Sequence, residues 1–162
     1  MMDYHFALKQ AEEILQPFSS EVRRPQEYQI DFVMGPENLN AAVEALFLAQ
    51  WGYLSAITCL DHPPINGENG LESEGSLEVI YHFCRNAAVA GLRVSVPYSN
   101  PHVPTICNWI PSATLYEREI MELFGVAVDD TPSTERLVTS DDWPEGVYPM
   151  RKTFSGFSKE SK

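Results

Sequence analysis

Residues 111–125 read P-S-A-T-L-Y-E-R-E-I-M-E-L-F-G and place Glu117, Arg118, Glu119 and Glu122 within six positions. Carboxylates at that density can serve as an acid–base pair, as metal ligands, as a contact surface or as a solvated helix face. Acid–base work needs two carboxylates converging across a pocket. These fan out from one short helix, and no second acidic segment clearly faces them. A di-metal carboxylate site would need Glu-x-x-His pairs on separate helices, and the chain has none. A solvated face and a partner-contact face both remain open, and catalysis is the least supported use.

Other reactive side chains assemble no better. His62 lies in the turn sequence D-H-P-P, His82 on the polar side of an alternating strand, and His102 in a proline-rich loop. No Ser-His-Asp, Cys-His or phosphate-loop arrangement can be built from them. Cys59, Cys84 and Cys107 are far apart, with no C-x-x-C spacing for zinc or an iron–sulfur cluster. Each sits in apolar surroundings, which reads as a reduced core thiol in a cytosolic setting.

Periodicity predicts the elements that must position these groups. Residues 3–15 carry apolar side chains at roughly helical spacing and form a helix that ends before Pro17. Residues 27–34 alternate polar and apolar, as a half-buried strand does. Pro36 opens a second helix, running to about residue 51 and closed by Gly52. Residues 53–60 read as a well-buried strand and 62–75 as a polar loop. Strands at 77–85 and 92–98 would pair as a hairpin across a slightly long link, N-A-A-V-A-G.

In the acidic segment, Thr114 and Glu117 form a capping box. Tyr116, Ile120, Leu123 and Phe124 make one apolar face, and Gly125 terminates the helix. Arg118 and Glu122, one turn apart, are placed to pair. The order predicts a two-layer α+β domain. Its sheet is mixed, mostly antiparallel and of about four strands, with helices on one face.

The last stretch behaves differently. From Asp129 onward the chain carries Trp143, Tyr148, Phe154 and Phe157 among several prolines, with no helical or strand period. It is too aromatic for a disordered linker, apart from residues 155–162, and too irregular for a core of its own. It must lie against something, either its own domain or another subunit. The chain thus divides into an α+β core, residues 1–128, and an extended docking segment, residues 129–162.

Two motifs in this region carry a resemblance. W-I-P-S-A-T-L-Y-E-R-E-I-M-E-L-F-G-V and, further on, D-D-W-P-E-G-V-Y-P-M-R-K-T-F resemble the 30 kDa subunit family of respiratory complex I, also known as the C subunit of NADH-quinone oxidoreductase. S-V-P-Y-S-N-P-H-V-P-T-I and L-S-A-I-T-C-L-D resemble the family's upstream motifs. The likeness runs from about Glu27 to Phe154.

It implies a non-catalytic structural subunit in the hydrophilic arm of a complex I-like, membrane-associated redox complex, on the cytoplasmic side of the membrane. The neighbours it implies are a large catalytic or quinone-site subunit and a small iron–sulfur subunit. It implies no cofactor in this chain; iron–sulfur clusters, and NiFe or quinone, belong to the partners. Carried over residue by residue, the docking positions are Glu117, Arg118, Glu119, Glu122, Arg136, Trp143, Pro149, Arg151, Lys152 and Phe154. Arg151 and Lys152 would meet carboxylates of a neighbour.

Some positions depart from the family pattern. Glu122 replaces an Asp, Met150 a Leu, and D-T-P-S-T-E-R-L-V stands for G-H-P-D-L-R-R-L-L. These point toward the versions found in group 4 membrane-bound [NiFe] hydrogenases, formate hydrogenlyases and archaeal deazaflavin-dependent dehydrogenases.

Bulk properties bound the alternatives. A length of 162 residues suits one domain, which buries roughly 70% of its unfolded surface without staples. Eleven basic against 23 acidic residues give a net charge of −12, which repels nucleic acid and anionic lipid. The N-terminus shows no secretory pattern and no window is apolar enough to span a membrane. Besides the redox-complex subunit, two alternatives stand: a free-standing interaction module, and an enzyme, which lacks any supporting motif.

Overall fold

The computed structural model describes residues 4–66 and 72–157. The expected start of the first helix at Asp3, the centre of the 62–75 loop and residues 158–162 lie outside these. Helix α1 covers Tyr4–Leu15 and passes into a single 3-10 turn, Gln16–Phe18, where Pro17 forbids a further α turn. Strands β1 (Glu21–Gln26) and β2 (Gln29–Met34) form a hairpin, and α2 spans Pro36–Leu48. Then follow β3 (Tyr53–His62), two-residue strands β4 (Ile65–Asn66) and β5 (Glu72–Ser73), β6 (Ser76–Arg85) and β7 (Ala88–Pro97). Strand β8 (His102–Pro104), helix α3 (Ala113–Phe124) and strand β9 (Ala127–Asp129) complete the order.

The main sheet runs β1-β2-β7-β6-β3, with β2 parallel to β7 and the other pairs antiparallel. It is the mixed sheet of an α+β domain, with five strands rather than four. The extra strand, β1, reads E-V-R-R-P-Q and is exposed along nearly all its length. An edge strand that buries neither face has no alternation to detect, and its Pro25 accompanies a register shift between Arg23 and Gln26.

Three further boundaries differ from the periodicity. The N-A-A-V-A-G stretch is not a link: Asn86 and Ala87 alone turn the chain, with Asn86 at φ 56°, and β7 begins at Ala88. Ala88 and Ala90 are fully buried where α1 crosses β7, so the side chains are small because the helix is close. Strand β3 is an edge strand, half exposed rather than well buried, because only one of its faces receives a helix. Helix α2 stops at Leu48, and Gln50 at φ 50° makes the turn two residues before Gly52.

The core lies between the sheet and the helices. Ile30, Phe32 and Met34 of β2, Leu77, Val79, Tyr81 and Phe83 of β6, and Leu92, Val94 and Val96 of β7 supply the sheet side. Ala7, Leu8, Ala11 and Leu15 of α1 and Leu39, Val43 and Leu46 of α2 supply the other. Trp51, fully buried, donates its indole N–H to the Ala7 carbonyl at 2.9 Å and ties α1 to the end of α2. Helix α3 packs Ile120 and Phe124 over β3, with Tyr116 and Leu123 half-buried beside them. That is the apolar face the spacing predicts.

The sheet's far face carries a charged network. Arg93 reaches Asp31 at 2.7 Å and Glu78 at 2.8 and 3.0 Å, and Glu78 also meets His62 at 3.2 Å. Arg93 first, against the opposing effect of burial, holds the Glu78 carboxyl below its ordinary range. Asp31 is 1% exposed, and its carboxylate occupies the space above Gly91 on the neighbouring strand. A Cβ there would stand 2.5 Å from Asp31 Oδ1. Gly91→Ala is therefore expected to displace this buried pair and lower stability by about 1–3 kcal/mol in chemical denaturation. An unchanged midpoint would show that the carboxylate can move aside freely.

Candidate partner interface

The acidic helix is turned inward and toward its own chain. Glu117 is 1% exposed, and its carboxylate accepts from four groups. These are the Thr105 hydroxyl at 2.8 and 2.9 Å, the Ile106 N–H at 2.9 Å, the Thr131 hydroxyl at 2.9 Å and the Cys107 thiol at 3.3 Å. Burial, with the facing Glu117, pushes Cys107 up to about 11, so the thiol keeps the proton it donates. This cage binds α3 to the chain just beyond the C-terminal end of each strand in the parallel β8–β9 pair.

The expected capping box is not formed. Helix α3 starts at Ala113 after Ser112, no side chain caps it, and the Thr114 hydroxyl is buried without a partner among the described residues. Four donors around one buried carboxylate outweigh the single N–H that a capping box would satisfy.

The expected Arg118–Glu122 pair is also absent, because each residue holds the C-terminal segment instead. Glu122 accepts the N–H groups of Leu137, Val138 (3.0 Å) and Thr139 (2.9 Å), and the Thr139 hydroxyl at 2.9 Å. Arg118 donates from Nε to the Glu135 carbonyl and from Nη2 to the Arg136 carbonyl, both at 2.7 Å. A surface i,i+4 pair gives only a few tenths of a kcal/mol, so bonds from a charged group to a backbone win. Burial alone would raise the Glu122 carboxyl, but the backbone N–H groups of Thr139, Val138 and Leu137 hold it below its ordinary range. Glu119, on another side of the helix, lines a groove between α3 and β3 with Ile57, Ile120 and Met150.

A second anchor lies at the end of α3. Gly125, at φ 72°, closes the helix with its N–H on the Met121 carbonyl, and the Tyr148 ring lies where a Cβ would be, 2.4 Å away. Arg151 donates from Nε to the Phe124 carbonyl at 2.5 Å. Its guanidinium lies 4.5 Å from the Tyr98 ring centroid and 5.3 Å from that of Tyr148. Asp61, 4% exposed, accepts the Tyr98 hydroxyl and, at 2.8 Å, the Lys152 backbone N–H. The Lys152 residue itself is exposed, and Pro149 is half-buried. Asp61, Tyr98, Thr105, Thr131 and Tyr148 take part in these contacts, although side-chain chemistry did not single them out. Their only sequence signal is membership of, or proximity to, the motifs that carry the family resemblance.

Residues on either side of the second anchor build a small aromatic cluster. Trp143 lies 6.1 Å from Phe154 and 5.1 Å from Phe157, and donates its indole N–H to the Val147 carbonyl at 2.8 Å. Arg136 bends back onto the Ser140 and Trp143 carbonyls at 2.9 and 2.8 Å. Leu137, Val138, Met150 and Phe157 are left 45–57% exposed on the outside. The histidines stay apart: His82 meets Thr58 at 2.9 Å, and His102 meets Asp129 at 2.8 Å. Among the described residues no helix is long and apolar enough to cross a membrane.

Residues 32–160, which hold both anchors and all ten of the positions expected to dock, match the family described as respiratory-chain NADH dehydrogenase, 30 Kd subunit. The chain belongs to this family. The 30 kDa subunit family spans redox complexes of several kinds. The chain is 32% identical over 114 residues to formate hydrogenlyase subunit 5 of Escherichia coli (strain K12), covering 70% of this chain and 19% of that one. It is 31% identical over 105 residues to the C/D subunit of NADH-quinone oxidoreductase of Methylococcus capsulatus (strain ATCC 33009 / NCIMB 11132 / Bath), covering 63% and 17%. It thus spans about a fifth of the length of these curated relatives. Its fold matches a chain of the membrane-bound sulfane sulfur reductase, an archaeal respiratory membrane complex, with a TM-score of 0.64 and 22% identity over 93% of this chain and 84% of that one. The Y-E-R-E motif of the family is here Tyr116 through Glu119, and Tyr116 donates to the Ser55 carbonyl at 3.0 Å.

Proposed function

We propose that this chain is a non-catalytic structural subunit in the hydrophilic arm of a complex I-like or hydrogenase-type membrane-associated redox complex. It docks beside the large catalytic or quinone-site subunit and a small iron–sulfur subunit, and supports electron transfer by holding them in place. Iron–sulfur clusters, and NiFe or quinone, are carried by those partners. The chain sits peripherally, on the cytoplasmic side.

One observation carries the docking role. The C-terminal segment is fastened through its backbone and its arginines, which leaves Leu137, Val138, Met150 and Phe157 exposed on a segment that is already ordered. A segment ordered before binding loses little entropy on docking. The C/D relative supports a D-type neighbour, because this chain matches only 17% of that single polypeptide.

The test is purification of the assembly through a tag on this chain, followed by mass spectrometry of the intact complex. The large and small subunits are expected in equal number with it; their absence from a folded, tagged chain would leave the free-standing interaction module. Arg151→Ala removes the guanidinium between Tyr98, Tyr148 and the Phe124 carbonyl. It should lower the assembled fraction about tenfold, the worth of one charge-assisted hydrogen bond, while the core still melts cooperatively. Undiminished assembly would show that this end of the segment is no docking element.

A further inference from the structure

The main sheet ends in two edges of opposite character. Strand β1 carries Glu21, Arg23, Arg24 and Pro25 and a register shift, the usual guards against a further strand. Strand β3 has none of Lys, Arg, Glu or Pro in its ten residues, and its one acid, Asp61, is buried. Its register shift lies at one end, and from Ala56 to His62 it runs evenly along β6. An antiparallel strand turns the N–H and C=O of every second residue away from its partner. Beyond the pairing with β6, the β3 backbone makes only two contacts among the described residues. The Ser55 carbonyl accepts the Tyr116 hydroxyl at 3.0 Å, and the Cys59 thiol lies 3.9 Å from the Leu60 carbonyl. No backbone N–H on that edge has a partner among the described residues.

Beside this edge runs the groove between α3 and β3, about 340 Å³ in volume and walled by Ile57, Tyr116, Ile120, Leu123 and Met150. Glu119 is the one charged residue along it, half-buried and without a hydrogen bond or ion pair among the described residues. We infer that β3 receives an extended segment of a neighbouring subunit as a sixth strand of the sheet, with a Lys or Arg opposite Glu119. An open ladder of backbone N–H and C=O groups is matched by another extended backbone. Alternate side chains of that strand then fall into the apolar groove. A half-buried carboxylate in apolar surroundings is stabilised by a cation, and none of this chain lines the groove. A second copy of this chain fits worse, because it brings another charge of −12 and an edge strand with no Lys or Arg. The inference rests on the subunit reading above and adds to it the form and charge of the partner segment.

The test is hydrogen exchange of the wild-type protein, free and in the purified complex, resolved to single amides by fragmentation mass spectrometry. In the complex every second β3 amide should exchange at least about tenfold more slowly than in the free chain, the worth of one added hydrogen bond. The amides between them already pair with β6 and should change little. Equal exchange in the two states, or slowing without alternation, would overturn the inference. Slowing that appears in the free chain as its concentration rises would put a second copy on the edge and overturn it equally. Glu119→Lys sets a cation against the inferred Lys or Arg and should lower the assembled fraction about tenfold, with the chain still folded. Undiminished assembly of that variant would overturn the basic position opposite Glu119. Failure of the wild-type chain to form any complex would instead sink the subunit reading, and this inference with it.

Discussion

Glu117→Ala is expected to destabilise the whole domain by about 3–5 kcal/mol, the range for removing one partner from a buried charged network. The carboxylate is 1% exposed and collects Thr105, Ile106, Cys107 and Thr131 around it. Truncation strands those donors without water, each at about 1–3 kcal/mol if nothing relaxes. Because the cage joins α3 to β8 and to the chain beyond β9, the loss should appear in the global urea midpoint rather than as local fraying. Glu117→Gln fills the same space and still accepts, but sets an NH₂ against other donors, so it should recover part of the loss. A stability for the alanine variant within about 1 kcal/mol of wild type would mean the cage is held together from elsewhere.

Glu122→Ala should act locally, and strongly. Its carboxylate satisfies three successive backbone N–H groups and one hydroxyl of the C-terminal segment. Their removal is expected to weaken docking of residues 131–143 by about 2–4 kcal/mol, discounted for partial exposure. Hydrogen exchange should show Leu137, Val138 and Thr139 amides losing protection while β6 and β7 keep theirs; unchanged protection would refute the anchor. Acid should mimic the variant. The carboxyl is held below its unfolded value, so its contribution is complete above the ordinary range near 4.5 and is lost as pH falls through the lower folded value. In the alanine variant that acid-dependent step should vanish.

Much of the fold was legible because periodicity reports burial directly. The α3 face of Tyr116, Ile120, Leu123 and Phe124, the strands around Phe32 and Tyr81, and the breaks at Pro17, Pro36 and Gly125 all follow from local rules. Strand β1 escapes such rules because an exposed edge strand carries no pattern. Residues 88–91 read as a link because their small side chains answer to the helix above them.

The acidic helix marks the boundary between what the amino-acid sequence alone determined and what the tertiary structure decided. Residue order settled that Glu117, Arg118, Glu119 and Glu122 share one short helix, and the motifs around them placed the chain in its family. It could not settle what each charge faces, since side chains four apart are neighbours in any helix. In the folded chain Glu117 meets Thr105 and Thr131, and Glu122 meets residues 137–139. The same holds for Asp61 and Lys152, 91 positions apart. Helix and strand signals are local, whereas a buried or anchored carboxylate is defined by donors that only chain folding brings within 3 Å of it.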